Sequence, residues 1–304
     1  MLNSAPPPPV AHCGIRVAFM TASRFLVSLV AAWLVAGMAN AASPTLERIK
    51  ASGTITFGYR DGAAPFSAKQ RNGKVRGYSV ELCEKVAAAV GNALKLQNIK
   101  IAWRPVDSET RISDVADRKI DAECGTTTIT LSRMERVDFS IPIFVDGASA
   151  LVRAKDAVRQ LGDLKGKRIA VMPSTTTETS LKKALALAGM TASFVMVKSG
   201  NEGVAAVLAG NADAYASDRM LLAQLKAADD RGGELEFLQN DFSFEPYGLV
   251  LPRDDSEFRL LVNRTLSGLY KSGEIDPIFI QWLAPYGRPG PLLNAMYYLN
   301  ALPD

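Results

Sequence analysis

An approximate internal repeat constrains the fold more than any other feature of the chain. Short apolar segments rich in β-branched residues alternate with amphipathic stretches, first in residues 54–124 and again in residues 168–216. The predicted strands are 54–59, 100–106, 120–124, 168–172, 193–197 and 212–216, and the predicted helices between them are 78–90, 110–117, 178–188 and 202–209. Strand, helix, strand, helix, strand is the pattern of a small parallel α/β sheet. The sequence therefore predicts an α/β protein with two lobes, each a small, mostly parallel sheet flanked by helices.

The length of the chain agrees with two lobes, because 304 residues exceed what a single hydrophobic core usually organises. Two apolar segments interrupted by proline and glycine, 141–152 and 244–251, are predicted to be extended hinge strands between the lobes. The predicted boundaries are a leader at 1–41, the first part of lobe one at 42–146, lobe two at 147–243, and the return strand, the rest of lobe one and the tail at 244–304.

The first forty residues have the pattern of a secretory signal peptide. Arg16 and Arg24 precede an apolar run at 25–39, which ends in the small-x-small sequence of residues 39–41. The alternative is an uncleaved membrane anchor, but the run is shorter than the roughly 20 residues that span a bilayer. Translation could begin at Met1 or at Met20. The mature protein is expected in a bacterial periplasm.

Composition excludes several classes of function. The 35 basic and 31 acidic residues nearly balance, so neither nucleic acid nor a strongly anionic membrane is an expected partner, and a monomer is expected. The only histidine, His12, lies in the predicted leader, which removes histidine-assisted serine or cysteine catalysis. No cofactor, no metal and no enzymatic activity are expected.

Two of the three cysteines lie beyond the leader. Cys83 and Cys124 could form a disulfide in an oxidising compartment, or they could be two separate buried thiols; spacing alone does not decide between these.

Polar residues follow the predicted strands, where open parallel sheets bind ligands. The segment 121–133, DAECGTTTITLSR, is the densest example, since hydroxyls follow a short strand and an arginine closes the next turn. Arginine forks bind carboxylates, and an aspartate can hold an ammonium group, so an amino acid with a second carboxylate fits the set. The candidates are Arg60, Ser108, Arg111, Thr126, Thr128 and Arg133 from lobe one, and Thr175, Thr176 and Asp218 from lobe two.

Each candidate also has a purely structural interpretation. Asp218, Thr110 and Ser174 could serve as helix caps, and Arg60 and Arg133 could be solvated surface charges. The joint placement of the candidates at strand ends favours a ligand site.

The chain resembles the periplasmic amino-acid-binding proteins of ABC transporters over nearly all of residues 43–289. The resemblance rests on GYRDGAAPFS at 58–67, GKVRGYSVELCEKVA at 73–87, SETRISDVADRKIDAECGTTTIT at 108–130, DLKGKRIAV at 163–171, STTTE at 174–178 and EPYGLVLPRDD at 245–255. Within the family the chain looks most like the branch that binds glutamate and aspartate. The resemblance implies a two-lobed cleft that captures an amino acid and a membrane permease that receives it.

The resemblance also implies roles for the candidates. Arg111 would bind the ligand α-carboxylate, with help from Thr126 or Thr128 and from Thr176. Asp218 would hold the α-ammonium group, whereas Arg60, Ser108 and Arg133 would lie near the side-chain carboxylate. The chain departs from the branch at Gly200, where the branch has a histidine.

Two rival functions follow from the same residues. One is an enzyme of the small-acid dehydratase type, which would need a carboxylic acid such as Glu123 or Asp107 in the cleft. The other is a binding protein for a neutral polar amino acid, since the departure at Gly200 bears on recognition of the ligand side chain.

Overall fold

The computed structural model describes residues 43–303 and, apart from them, Ala5. The predicted leader, its two arginines and both candidate initiator methionines lie outside the described residues. Among residues 43–303, no helix has the length and apolar character needed to cross a membrane.

Helices and strands alternate along the described chain. The α-helices are α1 (Pro44–Ser52), α2 (Tyr78–Ala93), α3 (Arg111–Ala116), α4 (Leu131–Met134), α5 (Thr176–Leu187), α6 (Gly200–Leu208), α7 (Arg219–Ala228), α8 (Ser256–Ser272), α9 (Ile275–Trp282) and α10 (Pro291–Asn300). The strands are β1 (Thr54–Arg60), β2 (Ala68–Lys69), β3 (Val75–Arg76), β4 (Lys100–Val106), β5 (Ala122–Glu123), β6 (Asp138–Phe139), β7 (Phe144–Asp146), β8 (Ala148–Arg153), β9 (Arg168–Val171), β10 (Ser193–Met196), β11 (Ala214–Asp218), β12 (Leu235–Phe237), β13 (Glu245–Tyr247) and β14 (Val250–Leu251). Short 3₁₀ turns lie at Ala154–Asp156, Leu161–Leu164, Gly232–Glu234 and Ala284–Tyr286.

Two five-stranded sheets define two lobes, which confirms the predicted fold class. The sheet of lobe one has the order β4-β1-β5-β14-β6, and that of lobe two has the order β10-β9-β11-β8-β12. In lobe one, β1 pairs in parallel with β4 and β5, while β14 is antiparallel to β5 and β6. In lobe two, β9 pairs in parallel with β10 and β11, while β8 is antiparallel to β11 and β12. The parallel strands of each lobe end at its polar candidates.

The third strand of each lobe differs from its predicted bounds. In lobe one the strand shortens to β5, because Asp121 replaces part of the ladder: its carboxylate accepts the Thr56 backbone N–H at 2.7 Å. In lobe two the strand shifts two residues toward its carboxyl end, because antiparallel pairing with β8 continues as far as Asp218 opposite Ala148. Asp218 therefore belongs to a strand and not to a loop.

The predicted hinge segments pair with each other. β7 and β13 form a separate two-stranded antiparallel ribbon in which Asp146 lies opposite Glu245 and Phe144 lies opposite Tyr247. Aromatic packing fixes this ribbon to lobe one, since the Phe66 ring makes edge contacts with Phe144 and Tyr247. The predicted domain boundaries fall beside these strands and stay a prediction.

Lobe one also contains the cysteine pair. A disulfide joins Cys83 on α2 to Cys124 directly after β5, with the Cα atoms 6.2 Å apart. Both residues are fully buried in the core of lobe one. The bond lies next to Gly125 and Thr126, at the strand end that carries the densest candidate segment.

Candidate ligand-binding site

A cleft between the two sheets collects candidates from both lobes. The ends of β1 and β5 and the start of α3 supply one wall, and the end of β9, the start of α5 and the end of β11 supply the other. The cavity is lined by Arg60, Arg111 and Thr126 on the side of lobe one, and by Met172, Thr175, Thr176, Thr177, Ala216, Ser217, Asp218 and Leu221 on the side of lobe two.

Three arginines lie together on the side of lobe one. Arg60 and Arg111 are buried, which excludes the interpretation of Arg60 as a solvated surface charge, and Arg133 is partly buried. Arg60 Nη1 donates to Thr126 Oγ1 at 3.0 Å, and Arg133 Nη1 donates to the Thr128 carbonyl at 2.7 Å. Among the described residues none of the three forms an ion pair, so their positive charges lack an anionic partner in direct contact.

Arg111 is the least satisfied of the three. Its side chain is only 2% exposed, its Nε has no hydrogen-bond partner among the described residues, and its one hydrogen bond is a long contact of 3.5 Å from Nη1 to the Thr126 carbonyl. Burial, together with the positive charges of Arg60 and Arg133, lowers the pKa of Arg111 to about 9. A buried cation without a partner is costly, so this position favours an incoming anion.

Glu123 is the carboxylate beneath this wall. Its Oε2 accepts the Thr127 hydroxyl at 2.8 Å, whereas its Oε1 has no partner among the described residues. Burial raises the pKa of Glu123, and the nearby charge of Arg111 opposes that shift. A Cβ added at Gly125 would lie 2.0 Å from Glu123 Oε1, so only glycine leaves room for this carboxylate below the cleft.

Asp218 is the central anion on the side of lobe two. It is the N-cap residue of α7, but its side chain makes no capping hydrogen bond, so the interpretation as a helix cap is wrong for its carboxylate. Thr177 Oγ1 donates to Asp218 Oδ1 at 2.8 Å, and the Tyr247 hydroxyl donates to Oδ2 at 2.5 Å. Burial and the charge of Glu245 raise the pKa of Asp218.

The hinge ribbon adds two more carboxylates, one buried and one half-buried, that the sequence analysis did not identify. Glu245 on β13 accepts the hydroxyls of Thr128 at 2.6 Å and Thr176 at 2.7 Å. Asp146 on β7 accepts the Met220 backbone N–H at 3.1 Å and lies 3.2 Å from the Tyr247 hydroxyl oxygen, whose proton goes to Asp218 at the shorter distance. Burial and the Asp218 carboxylate raise the pKa of Asp146 to about 7. The only signal for them in the sequence is their place in the predicted hinge segments.

Two candidates remain, and only one of them leaves its hydroxyl at the cleft. Ser108 lies at the cleft, and its hydroxyl bridges the lobes by donating to the Pro173 carbonyl at 3.0 Å. Thr175 lines the cavity, but its hydroxyl caps α5, because it accepts from Glu178 N and donates to the Met172 carbonyl. The cap of this helix is thus Thr175 and not Ser174, whereas Thr110 occupies the N-cap position of α3 without a capping side-chain bond.

Gly200 lines a second part of the cleft beside the first. Arg60, Ser108 and Ser217 border this part together with two leucines, Leu221 and Leu225. A Cβ at Gly200 would lie 2.6 Å from Leu225 Cδ1, so the leucine occupies the space that a side chain at position 200 would need. Where the chain has Gly200 in place of the histidine of the family pattern, Leu225 therefore fills the space that the missing side chain would occupy.

Within residues 43–303, no group of three or more histidine, cysteine, aspartate or glutamate side chains could hold a metal ion. The site consists of Arg60 and Arg111 on one wall with Arg133 behind them, hydroxyls between the walls, and carboxylates on the other wall and at the hinge. Such an arrangement can bind a small zwitterion that carries an additional negative charge.

Comparison with known proteins identifies the family of the chain. Residues 55–285 match the model of the family described as bacterial extracellular solute-binding proteins, family 3. An L-glutamate/L-aspartate-binding protein of Pseudomonas aeruginosa is 36% identical over 84% of this chain and 85% of its own length. A glutamate/aspartate import solute-binding protein of Escherichia coli K12 is 30% identical over 80% of this chain and 81% of its own length.

Solved structures share the architecture. An ancestral arginine-binding protein bound to glutamine superposes with a TM-score of 0.67 at 28% identity, covering 76% of this chain and 98% of its own. The two curated relatives are binding proteins and not enzymes, which argues against the dehydratase alternative. The match over most of the chain shows that this protein belongs to family 3 of the bacterial extracellular solute-binding proteins.

Proposed function

We propose that this protein captures L-glutamate or L-aspartate in the cleft between its lobes and delivers the amino acid to the membrane permease of an ABC importer. The observation that carries the proposal is the cluster of Arg60, Arg111 and Arg133, which has no ion-pair partner among the described residues. Two unpaired cations facing the cleft, with a third behind them, match a ligand with two carboxylates better than one with a single carboxylate.

The ligand's three charged groups have separate places in this proposal. Arg111 binds the α-carboxylate with the free hydroxyl proton of Thr126. Arg60 and Ser108 lie toward the side-chain carboxylate, with Arg133 adding positive charge from behind. Asp218 accepts the α-ammonium group.

The lobes form the two sides of this site. One side comprises residues 42–146 and 244–304, the other comprises residues 147–243, and β7 and β13 serve as the hinge. Contacts such as Ser108 with the Pro173 carbonyl close the cleft over the ligand. Export by the leader at 1–41 would place the mature, monomeric protein in the periplasm, and the surface formed by the closed lobes is what a permease would recognise.

A neutral polar amino acid is the alternative ligand, and Gly200 with Leu225 is the observation that favours it, since an apolar side chain occupies the part of the cleft next to Arg60. Calorimetric titration of the refolded mature protein with L-glutamate, L-aspartate, L-glutamine and L-asparagine distinguishes the two. We expect the acidic pair to bind at least tenfold more tightly, and the bound amino acid to be recovered unchanged by mass analysis. Tighter binding of glutamine or asparagine would favour the alternative, and conversion of the ligand would refute a binding function.

A further inference from the structure

Glu245 holds two hydroxyls from opposite lobes on one carboxylate oxygen. It lies on the hinge strand β13 and is 1% exposed. Its Oε2 accepts from Thr128 Oγ1 of lobe one at 2.6 Å and from Thr176 Oγ1 of lobe two at 2.7 Å. Its other oxygen, Oε1, accepts from Ser243 Oγ at 2.5 Å.

This arrangement fixes the direction of both threonine hydroxyls. A hydroxyl has one proton to donate and two lone pairs with which to accept. Because Thr128 and Thr176 each give their proton to the same carboxylate oxygen, only their lone pairs remain for a ligand. The two hydroxyl oxygens lie 3.1 Å apart because both contact the same carboxylate oxygen, and a hydrogen bond between them is not needed to explain that distance.

Thr126 has the opposite polarity. Its Oγ1 accepts from Arg60 Nη1 at 3.0 Å, and its proton has no acceptor within residues 43–303. It can therefore donate to a ligand carboxylate, whereas Thr128 and Thr176 cannot donate without leaving Glu245. Thr126 and Thr176 line the cavity, and Thr128 contacts Thr176 from behind. These threonines thus present different hydrogen-bonding faces, and the difference depends on whether the neighbour is an arginine or a glutamate.

Other hydroxyls near Asp218 follow the same rule. Thr177 Oγ1 and the Tyr247 hydroxyl both donate to the Asp218 carboxylate, at 2.8 Å and 2.5 Å. The wall around Asp218 and Glu245 therefore offers acceptors, and an ammonium group with three N–H donors is the part of an amino acid that fits it.

We infer that Glu245 is a positioning residue that turns the hydroxyls of Thr128 and Thr176 into acceptors for the ligand's α-ammonium group. This inference rests on the proposed function, and it moves Thr128 and Thr176 from the α-carboxylate, where the family resemblance placed them, to the ammonium side. Glu245 does not touch the ligand; it acts through the two threonines and couples them across the lobes.

The test compares L-glutamate with glutarate, the same dicarboxylate without the α-amino group. Glu245→Met keeps the length of the side chain and removes the acceptor, so the two hydroxyl protons become free to face the ligand. We expect L-glutamate affinity to fall at least tenfold while glutarate affinity rises or stays constant. The Kd of glutarate divided by the Kd of L-glutamate should therefore fall at least tenfold. Displacement titration against L-glutamate measures glutarate even where it binds weakly.

Two further variants separate positioning from charge and from folding. Glu245→Gln removes the charge but keeps an oxygen that can accept both threonine protons, so it should retain a ratio much closer to that of the wild type than Glu245→Met does. Ser243→Ala removes a hydroxyl from the other carboxylate oxygen and should leave the ratio within about threefold, the scatter expected when a single contact away from the ligand is lost. If Glu245→Met does not fold, Thr176→Val removes one acceptor directly, and it should also lower the ratio of the glutarate Kd to the L-glutamate Kd.

The outcomes are distinct. An unchanged ratio in a folded Glu245→Met protein, or no displacement by glutarate in that variant, would overturn the inference. Equal ratios in Glu245→Gln and Glu245→Met would show that charge alone matters, which also overturns the positioning role. In both cases the proposed function stands as long as the wild type binds L-glutamate or L-aspartate, and it fails only if the wild type binds neither.

Discussion

The two sides of the cleft differ in how completely their charges are satisfied. On the side of lobe one, Arg111 has a single long hydrogen bond and no ion pair among the described residues. On the other side, Asp218 and Glu245 each accept two or more hydroxyl protons at 2.5–2.8 Å. The comparison teaches that the carboxylates are satisfied by hydroxyls of the protein itself, whereas the arginines need the ligand to complete them.

This asymmetry is favourable for a binding protein. An unpaired buried cation weakens the fold but strengthens the interaction with an anion that replaces its lost hydration. Acceptors whose hydroxyl partners are fixed in the closed form lose little further entropy when an ammonium group binds there. The arginine side therefore supplies much of the affinity, and the carboxylate side supplies the requirement for an amino group.

Removing Arg111 gives the largest expected effect on binding. Arg111→Ala should weaken every amino acid ligand by about 2 to 5 kcal/mol, or about 30-fold to several thousand-fold, because the α-carboxylate loses a charge-assisted partner in a buried site. The thermal midpoint of the ligand-free protein should not fall, since the charge that is removed was unpaired. Calorimetry and thermal unfolding measure the two quantities. Arg104→Ala is the control, because Arg104 is an exposed arginine of the same lobe; an Arg111 variant that loses stability but keeps affinity would contradict the asymmetry.

Removing the disulfide tests whether the bond that stabilises lobe one, where the arginines lie, also affects the ligand preference of the site. The bond closes a sequence separation of 41 residues, and its loss in Cys83→Ser/Cys124→Ser should lower the free energy of unfolding by about 3 to 4 kcal/mol in the chain-entropy account. The preference for glutamate over glutamine should stay the same in protein that remains folded. Thiol titration of the denatured, unreduced wild type should find no free thiol, and two free thiols would exclude the bond.

Removing Arg60 tests the division of labour among the arginines. Arg60→Ala should cost L-glutamate about 1.5 to 3 kcal/mol, the usual worth of a hydrogen bond to a charged group, and L-glutamine much less. Parallel titrations with the two ligands give the difference directly. Equal losses would mean that Arg60 does not face the side-chain carboxylate.

Changing pH tests the carboxylate side with the smallest expected effect. The pKa of Asp146 is raised to about 7, so the folded protein holds a proton between the ordinary carboxyl range and pH 7 that the unfolded chain has released. Stability of the ligand-free protein should therefore fall as pH rises through this window. A bound ammonium group favours the ionised carboxylates, so affinity should weaken below about pH 7, by at most about tenfold for each pH unit.

Titrations at pH 6 and pH 8 in buffers of different ionisation enthalpy measure the proton released on binding. Asp146→Asn should reduce that release and flatten the dependence. A dependence that is unchanged in this variant would assign the proton to another group.

The sequence predicted the lobes because its periodic apolar segments and their order are local signals. It also located Arg60, Arg111 and Asp218, because residues at the carboxyl ends of parallel strands meet wherever the sheets face each other. Glu245 and Asp146 escaped detection because their role depends on pairing between two hinge strands that lie about a hundred residues apart in sequence. The direction of a hydroxyl proton, as in Thr128, likewise depends on contacts that no spacing pattern encodes.

The central claim is that one small zwitterion joins the arginine side to the carboxylate side, and ligand-induced closure tests it most directly. Small-angle scattering of the refolded protein with and without saturating L-glutamate should show a smaller radius of gyration with ligand, because only the closed form makes both sets of contacts. Asp218→Ala should lose the ligand-dependent change at the same glutamate concentration. A radius that decreases equally in the wild type and in Asp218→Ala, or one that does not change in a wild type shown by calorimetry to be saturated, would contradict the account.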